Sequence, residues 1–375
     1  MWLSGGVQAS HKPYDPGAAV KPLLVLTLVA CGGSGAGIGD APLVDGLDGP
    51  PSPPAHWVAY VGGYGDAISW YRVDATSGAL AKLGEITASA PSFLAFDPGL
   101  AHVYAVDEAG SRVVAFATDP ASGALTRLDD QPSGGSGPAH VTVADGHVLV
   151  ANYGDGAVGV LPIAADGGVD AATQVVNAGS HAHQVVVAGA HAFVPCLGSD
   201  HVAQYTWGQG TLAADGMLAT ASGAGPRHLA LAGDGYAYLI DETASTVMAL
   251  AVDAQGHLSA LQTVSTLPDG FSGTNTGAEI AVAGGYVYAS NRGADDLAVF
   301  SRDATGRLTA IAHVPSGGMT PRHFSLGPDG RWLFVANQGS NNVAVFAIGA
   351  DGVPVATGTS VTVQAPSFVG IAAFP

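Results

Sequence analysis

The sequence predicts an all-β protein, a seven-bladed β-propeller of four-stranded blades, and three observations carry that prediction. Two apolar segment types recur seven times, at a spacing of 43 to 51 residues. The composition is rich in glycine and poor in charge, and the chain ends on a spare copy of the one strand its first repeat lacks. Repeats of this period mark stacked or radial architectures, and four short strands per repeat specify a propeller blade.

The first segment type is a short apolar strand opened by Pro-x-(Phe/His) or a variant of it. Its copies start at Pro91-Ser92-Phe93, Pro138-Ala139-His140, His181-Ala182-His183, Pro226-Arg227-His228, Gly277-Ala278-Glu279, Pro321-Arg322-His323 and Pro366-Ser367-Phe368. The second type is a 14-residue pair of strands around a polar turn, with copies at 58–71, 103–116, 148–161, 192–205, 237–250, 287–300 and 333–346. A fourth strand follows turns such as Asp119 to Leu125 or Asp303 to Leu308, where a glycine supplies the positive φ.

Composition agrees. With 54 glycines in 375 residues and only 11% charged residues, short strands and tight turns are favoured over helices. The repeats begin at Trp57 without a first strand and finish with a spare first strand at 366–375, so the C-terminus is expected to complete the first blade and protect its edge.

The charge pattern excludes some functions. Twelve Lys and Arg against thirty Asp and Glu give a formal charge of −18, which repels nucleic acid and anionic membrane surfaces. Lysine occurs only at Lys12, Lys21 and Lys82, so Schiff-base chemistry has almost no candidate and arginine must handle anions. No Gly-x-Ser-x-Gly elbow or Walker loop is present.

Ahead of the repeats, Lys21 precedes the apolar run Leu23 to Ala30, which ends at Cys31 and passes into Gly32-Gly33-Ser34-Gly35. Such a run is too short to span a bilayer but suits the core of a cleaved signal. Residues 1–31 are therefore expected to be a lipoprotein-type signal segment with Cys31 as the lipid attachment point, and 32–56 a Gly/Pro/Ser-rich tether to the propeller at 57–375. That arrangement predicts an exported monomer on the bacterial cell envelope, touching membrane only through the lipid; an unused leader would leave it cytoplasmic. Cys196 then stands alone, without a disulfide partner.

In a propeller the first strand of each blade lines the axis and the second runs antiparallel to it, so equivalent residues form rings at one mouth. The strand starts contribute Phe93, His140, His183, His228, Glu279, His323 and Phe368, with Arg227 and Arg322 one residue earlier. The second-strand ends contribute Gly63, Glu108, Tyr153, Leu197, Glu242, Arg292 and Gln338. So many titratable groups in one funnel point to a functional site. Taken singly, each histidine is better explained as a strand cap than as a catalytic group, and imidazoles such as those of His181 and His183 also admit a metal reading, although evenly spaced blades fit tetrahedral geometry poorly.

Several stretches resemble the β-propeller lactonase family, of the 6-phosphogluconolactonase and carboxy-cis,cis-muconate lactonizing enzyme type. They are Ala151-Asn152-Tyr153, Ser180-His181-Ala182-His183-Gln184, Gly225-Pro226-Arg227-His228, Glu279-Ile280, Ser290-Asn291-Arg292-Gly293 and Ala336-Asn337-Gln338, within a similarity running from Trp57 to Pro375. The resemblance implies an active constellation of His183, Arg227, Glu242 and Arg292, the same four that the rings pick out. It departs from the family at Asp241-Glu242, where Asn-Glu is usual, at Cys196-Leu197-Gly198, where Asp-Leu-Gly is usual, and around Gly63, where an acidic or aromatic residue is missing.

The expected function is hydrolysis of a small sugar-derived lactone, with a lactone or organic acid as the small-molecule partner and without cofactor or metal. His183, ahead of Glu242, is the general base, Arg227 and Arg292 hold the oxyanion or a carboxylate, and Arg322, His228 and Tyr153 complete the substrate site. The alternative is a non-catalytic surface propeller that binds a ligand or protein, a class in which Tyr-Val-x-Asn repeats occur and to which Tyr60-Val61-Gly62-Gly63 is comparable. A binding module has no need of a base facing two arginines.

Overall fold

The computed structural model describes residues 56–375. The expected signal segment, Cys31 and nearly all of the expected tether lie outside the described residues. Seven four-stranded antiparallel sheets make up the rest, joined by turns and a single short 3-10 turn at Leu197–Ser199. The fifth blade shows the pattern: β16 (Pro226–Leu231), β17 (Tyr236–Asp241), β18 (Thr246–Val252) and β19 (Leu258–Ser265) pair in chain order from the axis outward.

Burial follows the period of two. In each second strand the residues point alternately to the two flanking blades, so both faces are apolar. Val103 and Ala105 pack toward the first blade and Tyr104 and Val106 toward the third. The core divides into seven clusters, each drawn from two adjacent blades, and the last joins Phe334 and Val345 of the seventh blade to Ala59 and Val61 of the first. Seven interfaces for seven blades means the ring is closed.

The closing strand is β28 (Pro366–Phe374), which pairs with β1 (His56–Gly63) from His56 opposite Phe374 to Gly63 opposite Pro366. Its Phe368, Val369 and Phe374 are buried. Ser367 Oγ donates to Ser92 O at 2.8 Å, tying the closed seam to the second blade.

Tyrosine hydroxyls fasten neighbouring blades. Tyr60, Tyr104, Tyr238 and Tyr288, at one position of the second strand, donate to the carbonyls of Gly123, Gly167, Gly306 and Gly352 in the outer turn of the next blade, at 2.7 to 3.1 Å. These turns need glycine twice over. At Gly306 φ is +77°, and an added Cβ would sit 2.3 Å from Tyr236. Leu149, Phe193 and Phe334 fill the same position in the other blades, without a hydroxyl to donate.

One expected register is corrected. In the first blade Ala59, not Val58, pairs with Tyr71, because the turn between β1 and β2 (Ala67–Val73) is one residue shorter. Six blades use a four-residue turn whose last residue has positive φ, such as Ser111 (φ 55°) or Asn341 (φ 56°); the first uses only Tyr64-Gly65-Asp66. Everything at the end of β1 therefore moves by one place.

Candidate active site

The site lies where the inner strands start and the second strands end. In six blades the residue just past the second strand donates its N–H to the loop carbonyl that precedes an inner strand: Glu108 to Ala90, Tyr153 to Gly137, Leu197 to His181, Glu242 to Gly225, Gln338 to Thr320 and Tyr64 to Ala365. Those carbonyl residues all have positive φ, including Thr320 at 57° and His181 at 57°, a conformation non-glycine residues adopt at some cost and one that often marks functional sites. Tyr64 thus holds the place assigned to Gly63 from the sequence. The aromatic residue missing at Gly63 is present one position later, as Tyr64.

The first ring closes over the axis as a packed plug. Phe93 contacts His140, His323 and Phe368 with ring centroids 4.2, 5.4 and 4.7 Å apart, and His183 meets His228 at 5.0 Å. His140, His183, His228, Glu279 and His323 are all buried. Removal from water pushes His140, His183 and His228 well below the usual histidine range, helped by Arg227 or neighbouring imidazole, and lowers His323 to about 4, so these rings are neutral at neutral pH. Among the described residues no three His, Cys, Asp or Glu side chains are grouped as metal ligands.

Above the plug, one oxygen of Glu242 binds two arginines. Oε2 lies 3.0 Å from Arg227 Nε and 2.7 Å from Arg292 Nη2. Arg292 Nη2 also donates to Gly277 O at 3.0 Å, and Arg227 Nη1 donates to Ala278 O. Arg227 is almost fully buried; desolvation, then the charges of Arg292 and Arg322, lower its pKa to about 9, which still leaves it a cation at neutral pH. Arg322 forms no ion pair among the described residues. Its guanidinium lies 5.2 Å over the ring of Tyr64, within cation–π range.

These groups surround a cavity of about 180 Å³ lined by Glu108, Tyr153, His183, Glu242, Arg292 and Arg322. A narrower recess behind it adds Tyr64, Phe93 and Arg227. Tyr153 stacks on His181 at 4.4 Å and presents its edge to His183 at 5.7 Å. The structure therefore brings together His183, Arg227, Glu242, Arg292, Arg322 and Tyr153.

A model of the family described as lactonase, 7-bladed β-propeller, matches residues 58–371. The chain belongs to that family. It is 32% identical over 321 residues to a 6-phosphogluconolactonase of Bacillus subtilis, an alignment that takes in 77% of this chain and 90% of the relative. A second 6-phosphogluconolactonase, from Sodalis glossinidius, is 32% identical over 68% of this chain and 79% of its own length. Among solved structures, a periplasmic gluconolactonase of Pseudomonas aeruginosa superposes with a TM-score of 0.81 at 31% identity, covering 85% of this chain and all of that one.

Within this lactonase-family propeller His228 and Glu242 make contacts that bear on their expected roles. His228, expected to touch substrate, has both ring nitrogens engaged: Nδ1 lies 3.1 and 3.0 Å from the oxygens of Glu279, and Nε2 lies 3.2 Å from His183 Nδ1. It backs His183 and borders the narrower recess, not the cavity of Glu242. Glu242 is engaged by two guanidinium groups, whereas His183 lines the cavity without an ion pair among the described residues. Cys196 is buried, and burial pushes its thiol up to about 12, so it is no nucleophile.

Proposed function

We propose that this chain is a lactonase that opens a small sugar-derived lactone, with His183 as general base. The single observation that carries this reading is the convergence, on one cavity and the recess behind it, of a neutral imidazole and two guanidinium groups paired with Glu242. His183 takes a proton from water as the water oxygen bonds to the lactone carbonyl carbon. The carbonyl electron pair moves onto oxygen, where Arg292 and Arg227 meet the negative charge with donors already in place. Collapse breaks the ring C–O bond, and the leaving oxygen takes the proton back from His183, giving the hydroxy acid.

Arg322, held by Tyr64, and Tyr153 flank the cavity and bind the substrate's hydroxyls or acidic group. No step needs a metal or cofactor. The names of the relatives, gluconolactonase and 6-phosphogluconolactonase, support a sugar lactone, and the Cys31 leader favours an unphosphorylated one, because it would place the enzyme on the cell envelope. The periplasmic relative supports export. Membrane fractionation of the parent and a Cys31→Ser variant tests it: the variant should leave the membrane fraction.

The activity is tested by proton release from plain and phosphorylated sugar lactones. Saturable turnover lost in both His183→Ala and Arg227→Ala is expected. Spontaneous rates with every lactone would replace the enzyme reading with a ligand-binding propeller.

A further inference from the structure

We propose that Glu279 and His228 are positioning residues that fix the proton on Nδ1 of His183 and leave its Nε2 as an unprotonated acceptor at the cavity. The inference rests on the lactonase reading for its catalytic meaning, but the proton arrangement follows from the hydrogen bonds alone.

The chain of contacts begins at His323. A backbone N–H can only donate, and Val369 N lies 3.4 Å from His323 Nδ1. That nitrogen is therefore the acceptor, and in a neutral imidazole the proton sits on Nε2, which lies 3.4 Å from Glu279 Oε2. Ile280 N–H donates to Glu279 Oε1 at 3.0 Å. Burial raises Glu279 on balance, against His323, the charge of Arg227 and the Ile280 amide; we take it as the carboxylate because the N–H groups of Ile280 and His323 face its two oxygens.

A carboxylate can only accept, so His228 Nδ1 donates to it. His228 is neutral, which makes its Nε2 an acceptor, and the 3.2 Å contact is then filled by the Nδ1 proton of His183. One proton per neutral ring leaves His183 Nε2 bare. That nitrogen has no hydrogen bond and is not among the sealed-off polar atoms, and His183 lines the cavity beside Tyr153, Arg292 and Arg322.

The chain also solves an electrostatic problem. Around His183 stand Arg227, Arg292 and Arg322, which all disfavour an imidazolium, while Glu242 is occupied by two of them, Glu108 lies across the cavity, and Tyr153 and His228 are neutral. When Nε2 takes a proton, the remaining opposite charge in hydrogen-bonded line is that of Glu279, relayed through His228. The arrangement orients the base and stabilises its charged form, as a buried carboxylate does behind a catalytic histidine elsewhere.

The test reads the protons directly. In the parent protein labelled with ¹⁵N-histidine, with a His183→Gln difference spectrum for assignment, both His183 and His228 should be Nδ1–H tautomers at neutral pH. A His183 ring protonated on Nε2 would overturn the proposal, since it requires a protonated Glu279 and the opposite hydrogen-bond direction. Kinetically, Glu279→Gln should lower kcat at least tenfold with KM within twofold, and move the acid limb of the kcat/KM profile to lower pH, because the imidazolium loses its counter-charge. A kcat loss without any displacement of that limb would also overturn it. If the parent turns over no lactone, the tautomer result still decides the proton arrangement, so the two readings fail separately.

Discussion

Glu242 reaches Arg292 at 2.7 Å with the same oxygen that faces Arg227, so a single carboxylate sets the spacing of both guanidinium groups. Both arginines also donate to carbonyls of the sixth blade, Arg292 through the same Nη2 to Gly277 and Arg227 through Nη1 to Ala278. The cations are thus aimed by a frame that spans two blades.

Replacing Glu242 by Gln should therefore cost activity and some stability together. It leaves Arg227, Arg292 and Arg322 facing one another in a largely dry site. Breaking a fully buried pair costs about 3–5 kcal/mol, and the partial exposure of Glu242 puts the expected loss nearer 2. We expect kcat/KM to fall about a hundredfold, with a melting temperature lower by several degrees.

Asp241, the neighbour of Glu242, makes stability depend on pH. Asn152, Asn291 and Asn337 hold the equivalent place in other blades and donate to the carbonyls of Ser133, Thr266 and Ser316, at 3.3, 2.6 and 3.0 Å, latching each blade to the one before. By register the matching latch partner of Asp241 is Thr220; Asp241 Oδ1 and Thr220 Oγ1 are both buried without partners. Burial raises Asp241 from 3.8 to about 6. The folded state thus binds the proton more tightly than the unfolded, so this group's stabilising effect is present below pH ~4 and lost as pH rises to ~6, by about 3 kcal/mol. Asp241→Asn should raise the melting temperature at pH 7.5 and leave it little changed at pH 4, as read by thermal unfolding at both values.

Tyr64 should act on substrate binding through Arg322. A cation–π contact contributes about 0.5–2 kcal/mol, so Tyr64→Ala is expected to raise KM roughly two- to thirtyfold as the guanidinium loses its support. Tyr64→Phe, which keeps the ring face, should stay within a few-fold of the parent. Steady-state kinetics on the three proteins distinguishes a ring effect from a hydroxyl effect.

Removing residues 366–375 should abolish the ring rather than trim it. The segment carries buried Phe368, Val369 and Phe374, and each large-to-small change of this kind costs about 1–5 kcal/mol before the edge of β1 is exposed. The sum rivals the whole stability of a domain. Circular dichroism and size exclusion of the truncated chain should report an unfolded or aggregated protein.

Much of this was legible in the sequence. Blade number, strand content, closure by 366–375 and the meeting of His183, Arg227, Glu242 and Arg292 all follow from one repeat, because equivalent positions in a ring must share a face. The repeat misleads where a turn changes length: the three-residue turn Tyr64-Gly65-Asp66 hides Tyr64 behind Gly63, and only the N–H of Tyr64 bound to Ala365 O restores it. Side-chain pairing across blades leaves no periodic trace. His228 and Glu279 are 51 residues apart, and nothing in their spacing tells that one backs His183 while the other anchors the line. The tyrosine latches could have been found by noting Tyr60, Tyr104, Tyr238 and Tyr288 at one repeat position, each followed 63 to 68 residues later by a turn glycine.

The most direct test of the central claim is the initial rate of proton release when the purified protein meets glucono-lactone and its phosphorylated counterpart, measured beside His183→Ala at equal concentration and equal fold content. The account predicts saturable turnover by the parent on at least one lactone and a loss of about a hundredfold or more in kcat for His183→Ala, since general-base catalysis contributes about 10²- to 10⁴-fold. Turnover that survives the loss of the imidazole would contradict it.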